Sequence, residues 1–227
     1  MYQAPPPQIP TVPQHNGKPQ SGWYYQYGDP GPAIGKLKSV DSTFGQQPPR
    51  DGKPPSCTFV GDEGIARAQF NGMQVLRFAD APYCLVTQKL RRGNGDWEYV
   101  WSFLDAYYRT LFWTEDADFG GAAELAHANF LLEPALKAHV RGEPVRFWGA
   151  PPRGIVITGE NVEVIQAMRR DVVNVKDLTV SIQDDDLVLE SPAFHEARFF
   201  QAETYNLFFA SAMLKMLAKR AKEKPAG

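Results

Sequence analysis

The prolines of this chain are concentrated at one end. Twelve of the 19 fall within the first 55 of 227 residues, with seven of the 19 glycines but only eight charged residues. Proline fixes its own φ and removes a backbone donor. Pro5, Pro6, Pro7, Pro10 and Pro13 therefore exclude regular helix and central strand and favour polyproline II. Such a segment buries too little apolar surface to offset its ordering entropy. Residues 1–20 are expected to be disordered or extended, and 1–55 to form a Pro/Gly-rich arm ahead of a single domain at 56–227. One stretch breaks the pattern. Trp23, Tyr24, Tyr25 and Tyr27 place four aromatics in five residues, which is costly to leave in water. This segment is expected to dock on the chain's own body, a sister subunit or a partner.

From residue 56 the pattern is globular. Asn71-Gly72 lies between apolar runs and signals a hairpin. Tyr83–Leu90 reads as a strand. The turn Arg92-Gly-Asn-Gly-Asp96 follows, and then the period-two run Trp97, Tyr99, Trp101, Phe103, whose aromatics share one face. Three strands joined by short turns make an antiparallel meander. Leu104, Tyr107, Tyr108, Leu111 and Phe112 then fall at helical spacing. This predicts a helical insert over 102–142, kinked or split at Pro134 and stopped by Gly142 and Pro144. Beyond it, 145–148 is a short strand, and 155–158/162–165 and 178–182/187–189 are hairpins. Ser191 and Pro192 look like a cap and first helical residue. The spacing predicts a C-terminal helix from there to about Lys222, apolar on most of its circumference. The fold class is α+β, an antiparallel β-rich body with a helical insert and a long C-terminal helix, in an order that also fits an OB-like barrel.

Charge and motif content exclude several functions. Lys plus Arg total 24 and Asp plus Glu 26, a formal charge of −2, which disfavours a strongly basic duplex binder. No Walker lysine motif, no Gly-x-Gly-x-x-Gly opening a helix and no Gly-x-Ser-x-Gly elbow is present. No catalytic set and no cofactor is expected. Cys57 and Cys84 cannot build a disulfide framework or a four-cysteine zinc site, and Cys84 lies in an apolar run as a small core residue. The N-terminus has no basic and apolar signal regions, and Leu207–Leu214 is too short to span a membrane. A cytoplasmic protein is the expectation.

Three functions compete. The arm and the apolar C-terminal helix suit a non-enzymatic binding or assembly protein, meeting a protein partner or its own copy through Trp23, Tyr24, Tyr25, Tyr27, Phe208 and Phe209. Single-stranded nucleic acid needs stacking aromatics beside cations. Lys89, Arg91, Arg92, Trp97, Tyr99, Trp101, Arg146 and Trp148 offer both, although alternating aromatics also describe a sheet's core face. A metal-dependent hydrolase would use Asp184, Asp186 and His195. These residues equally make an acidic turn and the first turn of a helix. The assembly reading is preferred.

Overall fold

The computed structural model describes residues 14–15, 18–19, 21–24, 30–42, 56–69, 72–90, 97–149, 153–167 and 169–223. The fold is β-rich α+β, and the chain divides into two compact units, Met1–Ala81 and Pro82–Gly227. The division between the units lies after Ala81. The disorder expected for the first 20 residues falls largely outside the described residues. Two short strands among them, β1 (Gln14–His15) and β2 (Lys18–Pro19), pair antiparallel.

The first unit is built on a five-stranded antiparallel sheet in the order β3-β7-β6-β5-β4. Its strands are β3 (Gly22–Tyr24), β4 (Leu37–Ser42), β5 (Cys57–Gly61), β6 (Gly64–Gln69) and β7 (Gly72–Arg77). Part of the expected arm is thus sheet. β3 pairs with β7, and β4 with β5. Pro30 and Pro32 do not prevent order here, because they start the short helix α1 (Gly31–Ile34), where a missing N–H costs nothing. Ala33 and Ile34 of α1 pack with Ala66, Ala68, Met73 and Val75 in one core cluster. The expected hairpin forms, with Gln69 paired to Gly72.

The second unit carries three antiparallel sheets. The first contains β8 (Tyr83–Leu90), β9 (Trp97–Leu104) and β10 (Thr110–Thr114) in the order β10-β9-β8. The second is a meander of β11 (Val145–Trp148), β12 (Gly154–Thr158), β13 (Asn161–Gln166) and β14 (Arg169–Asn174). The third holds β15 (Thr179–Gln183), β16 (Asp186–Ser191) and β17 (Phe194–Phe199). None closes into a barrel, so the OB-like option falls. A large core cluster joins Ile155, Ile157, Val162 and Val164 of the second sheet to Leu187, Leu189 and Phe199 of the third. Leu207, Phe209, Met213, Leu214 and Leu217 of the C-terminal helix α3 (Leu207–Glu223) complete it.

Three expected elements differ. Residues 102–112 are not helical: β9 runs to Leu104, a turn follows, and β10 begins at Thr110. The i, i+3, i+4 spacing of so short a window also suits two strands and their turn. The true helix α2 (Ala117–Val140) starts where the Asp116 carboxylate accepts from the Phe119 amide at 3.0 Å, an N-cap bond. It runs unbroken through Pro134, whose ring sits on the exposed side. Ser191 and Pro192 cap no helix. The Ser191 hydroxyl accepts from Ala193 N–H at 3.2 Å inside the β16–β17 turn. α3 begins only at Leu207, so the predicted 30-residue helix is a strand followed by 17 helical residues. Among the described residues, no helix is long and apolar enough to cross a membrane.

Candidate binding site

The turn between β9 and β10 reads Asp105-Ala-Tyr-Tyr-Arg109, and one carboxylate organises it. Asp105 Oδ1 accepts from the backbone N–H of Tyr107 at 2.8 Å and of Arg109 at 2.9 Å. Its Oδ2 accepts from Arg109 Nε at 2.7 Å and pairs with Nη2 at 2.7 Å. Two backbone bonds close the turn, Tyr108 N–H to Asp105 C=O and Asp105 N–H to Arg109 C=O, each 3.0 Å. Burial alone would raise the Asp105 carboxyl. The hydrogen bonds from Arg109 and Tyr107 and the guanidinium charge outweigh it and hold the carboxyl below its ordinary value.

This geometry forces Tyr108 into the left-handed region, at φ 62°. Glycine or asparagine normally fills that place after a type I turn, because a Cβ there crowds the carbonyl. The ring offsets the strain. It stacks on Tyr83 at 4.9 Å between centroids and 13° between planes, and it meets Tyr205 at 5.1 Å. Tyr83 and Tyr205 are 5.5 Å apart, so the three rings touch mutually.

Each ring is anchored from a different element. Tyr83 starts β8, opposite Leu104. Tyr205 lies in the link before α3, and that link is stapled on both sides. Tyr205 N–H donates to Trp148 C=O at 3.0 Å, and Asn206 N–H to Cys84 C=O at 2.7 Å. The Asn206 side chain accepts from Cys84 N–H at 2.7 Å and donates to Pro82 C=O at 2.9 Å. Asn206 is itself left-handed, at φ 55°, and its carbonyl accepts the first helical bond of α3, from Ala210.

The cluster reaches the surface. Tyr107 is 79% exposed with the Arg109 guanidinium 5.3 Å from its ring centre, and Tyr108 is 49% exposed. Burial, then the hydrogen bond with Tyr108, raises the Tyr83 hydroxyl above its ordinary value. It therefore stays protonated at neutral pH. Chemically the knuckle offers rigid aromatic faces, hydroxyl donors and a guanidinium whose charge Asp105 already balances. It suits an apolar ligand rich in acceptors.

The residues read from sequence are dispersed. Trp97, Tyr99 and Trp101 share a face, but that face runs from solvent into the core. Trp97 is 64% exposed and Trp101 only 7%. The Trp101 indole lies against Gly120 of α2 and donates to Glu124 Oε2 at 3.1 Å. The Tyr99 hydroxyl is bonded to Asp185. Lys89 is paired with Glu115, and with Glu98 at 4.0 Å. Arg146 and Trp148 are exposed on β11, with the Trp148 ring over Gly154. Arg91 and Arg92 lie outside the described residues.

Trp23 and Tyr24 enter β3, while Tyr25 and Tyr27 lie outside the described residues. Phe208 is 43% exposed, but Phe209 is buried at 6% and meets Phe147 edge-on at 5.2 Å. It belongs to the core, not to a partner surface. Asp184 and Asp186 line a polar cleft of about 400 Å³ with Gln88, Phe200, Gln201 and Glu203. His195 is at the opposite end of the β16–β17 hairpin, roughly 15 Å away by strand rise. The expected metal trio does not converge. Among the described residues, no three His, Cys, Asp or Glu side chains are placed to hold a metal ion.

Sequence reading missed the tyrosine knuckle. The available signal was Asp105 four residues before Arg109 with two tyrosines between, flanked by aromatic strands. No protein-family model matches the chain, and no curated protein matches it.

Proposed function

We propose that this chain is a binding protein that assembles with copies of itself, and that the tyrosine knuckle of the second unit is its contact surface. The observation that carries this reading is Tyr108, a half-exposed aromatic residue held at positive φ by a clamp of hydrogen bonds. Strained residues persist only where the surroundings over-determine them, and they cluster where a side chain must be presented. Tyrosine and arginine are the residue types that dominate interface hot spots, and a rigid platform loses little entropy on binding. The Pro-rich arm keeps its place in this reading. The C-terminal helix does not, since its apolar side is spent on the unit's own core.

Sedimentation velocity over a concentration series tests it. The wild-type chain should associate reversibly, the Tyr107→Ala/Tyr108→Gly double variant should sediment as a monomer, and Trp97→Ala should behave as wild type. A wild-type chain that stays monomeric at high concentration, or a double variant that associates normally, would overturn the assignment.

A further inference from the structure

The knuckle faces solvent with no charge to satisfy, so its occupant should be neutral, apolar and rich in free acceptors. The chain carries one segment of that description. Residues 1–17 contain no Asp, Glu, Lys or Arg. Pro7, Pro10 and Pro13 recur every third position, with Ile9 and Val12 between them. Polyproline II has three residues per turn and a rise of about 3.1 Å per residue, which places these prolines on one edge, about 9 Å apart. In general a polyproline II segment makes no internal carbonyl bonds, and proline restricts φ before binding, so less entropy is lost on docking. Aromatic-lined surfaces recognise such segments by packing proline rings on aromatic faces while hydroxyl groups donate to the carbonyls. Tyr83, Tyr108 and Tyr205 supply three mutually touching rings, and Tyr107 with Arg109 continues the surface.

We infer that the tyrosine knuckle of one copy binds residues 7–13 of a second copy as a polyproline II segment. This rests on the self-assembly reading above and names its occupant. The link runs from the arm of one molecule to the knuckle of another, so it is heterologous, and each copy carries both halves.

The test uses two full-length variants. Pro7→Ala/Pro10→Ala/Pro13→Ala breaks the arm and keeps the knuckle. Tyr108→Gly removes the central ring and puts at φ 62° the residue that tolerates it best, so the turn remains. Each variant alone should associate at least about tenfold more weakly than wild type, a difference of about 1.4 kcal/mol. Fluorescently labelled Tyr108→Gly chain titrated with the unlabelled proline variant should recover affinity, because one supplies an intact arm and the other an intact knuckle. If Tyr108→Gly fails to associate while the proline variant associates as wild type, the arm is not the occupant and only this inference falls. A mixture no tighter than either variant alone has the same consequence. If Tyr108→Gly associates as wild type, the knuckle assignment falls too.

Discussion

Position 108 should reverse the usual ranking of alanine over glycine. Truncating Tyr108 removes its contacts with Tyr83 and Tyr205. Aromatic pairs contribute about 0.5–1.5 kcal/mol each beyond area burial, so either truncation loses about 2 kcal/mol. Alanine keeps a Cβ in the left-handed region and retains that strain of roughly 1–2 kcal/mol. Glycine relieves it, at an unfolded-state entropy cost of about 0.5–1 kcal/mol. Tyr108→Ala should therefore be destabilised by about 2 kcal/mol, and Tyr108→Gly by about 1 kcal/mol. Urea unfolding followed by tryptophan fluorescence measures this, because four of the five tryptophans, at 97, 101, 113 and 148, lie in the second unit. In a unit of this size the gap between the two variants corresponds to a melting difference of about 2–4 °C. If alanine equals or exceeds glycine at this position, backbone strain is not what the rings offset, and the reasoning from Tyr108 to a presented surface fails with it.

Three further outcomes follow from the second unit. Gly120→Ala should destabilise the protein by about 1–3 kcal/mol although helix propensity alone favours alanine by about 1 kcal/mol, because a Cβ there would overlap the Trp101 ring; thermal melts decide the sign. The Glu124 carboxyl is raised by burial, with the Trp101 hydrogen bond opposing, so wild-type stability is lost as pH climbs from the ordinary value of 4.5 through the raised one. Glu124→Gln should accordingly unfold at higher urea than wild type at pH 7 and match it below pH 4.5; equal midpoints at both would refute this. Asp105 has the opposite sign: its lowered carboxyl stabilises the fold above 3.8, and that contribution disappears as pH falls through the folded value. Asp105→Asn should be less stable than wild type at pH 7, and the two urea midpoints should converge on acidification.

What was readable in the sequence was local, and what was not depended on tertiary contact. The hairpins at 155–165 and 178–189 and the strands at 83–90 and 97–103 were legible because period-two alternation and turn residues occur within a few positions of each other. The stretch 102–112 misled because five apolar residues in eleven satisfy a helical template and a strand–turn–strand template alike. Only the bonds from Asp105 to Tyr107 and Arg109 decide between them. Ser191-Pro192 misled for a related reason, since a hydroxyl that can cap a helix can equally close a hairpin turn. The Asp105–Arg109 spacing marks the turn, but the contact of the three rings was out of reach of any local pattern. Tyr83 and Tyr205 lie 25 and 97 positions from Tyr108, and no periodicity links them. The residue that betrays the site is the one that local propensity would have rejected. A turn built on Asp105 and Arg109 stands without Tyr108, and glycine would fit its backbone better. The preference for tyrosine there is intelligible only from what the ring touches, and Tyr83 and Tyr205 occupy part of its surface while the rest is left to solvent. Where local preference and observed residue disagree at such a turn, the contacts of the side chain supply the explanation that propensity cannot.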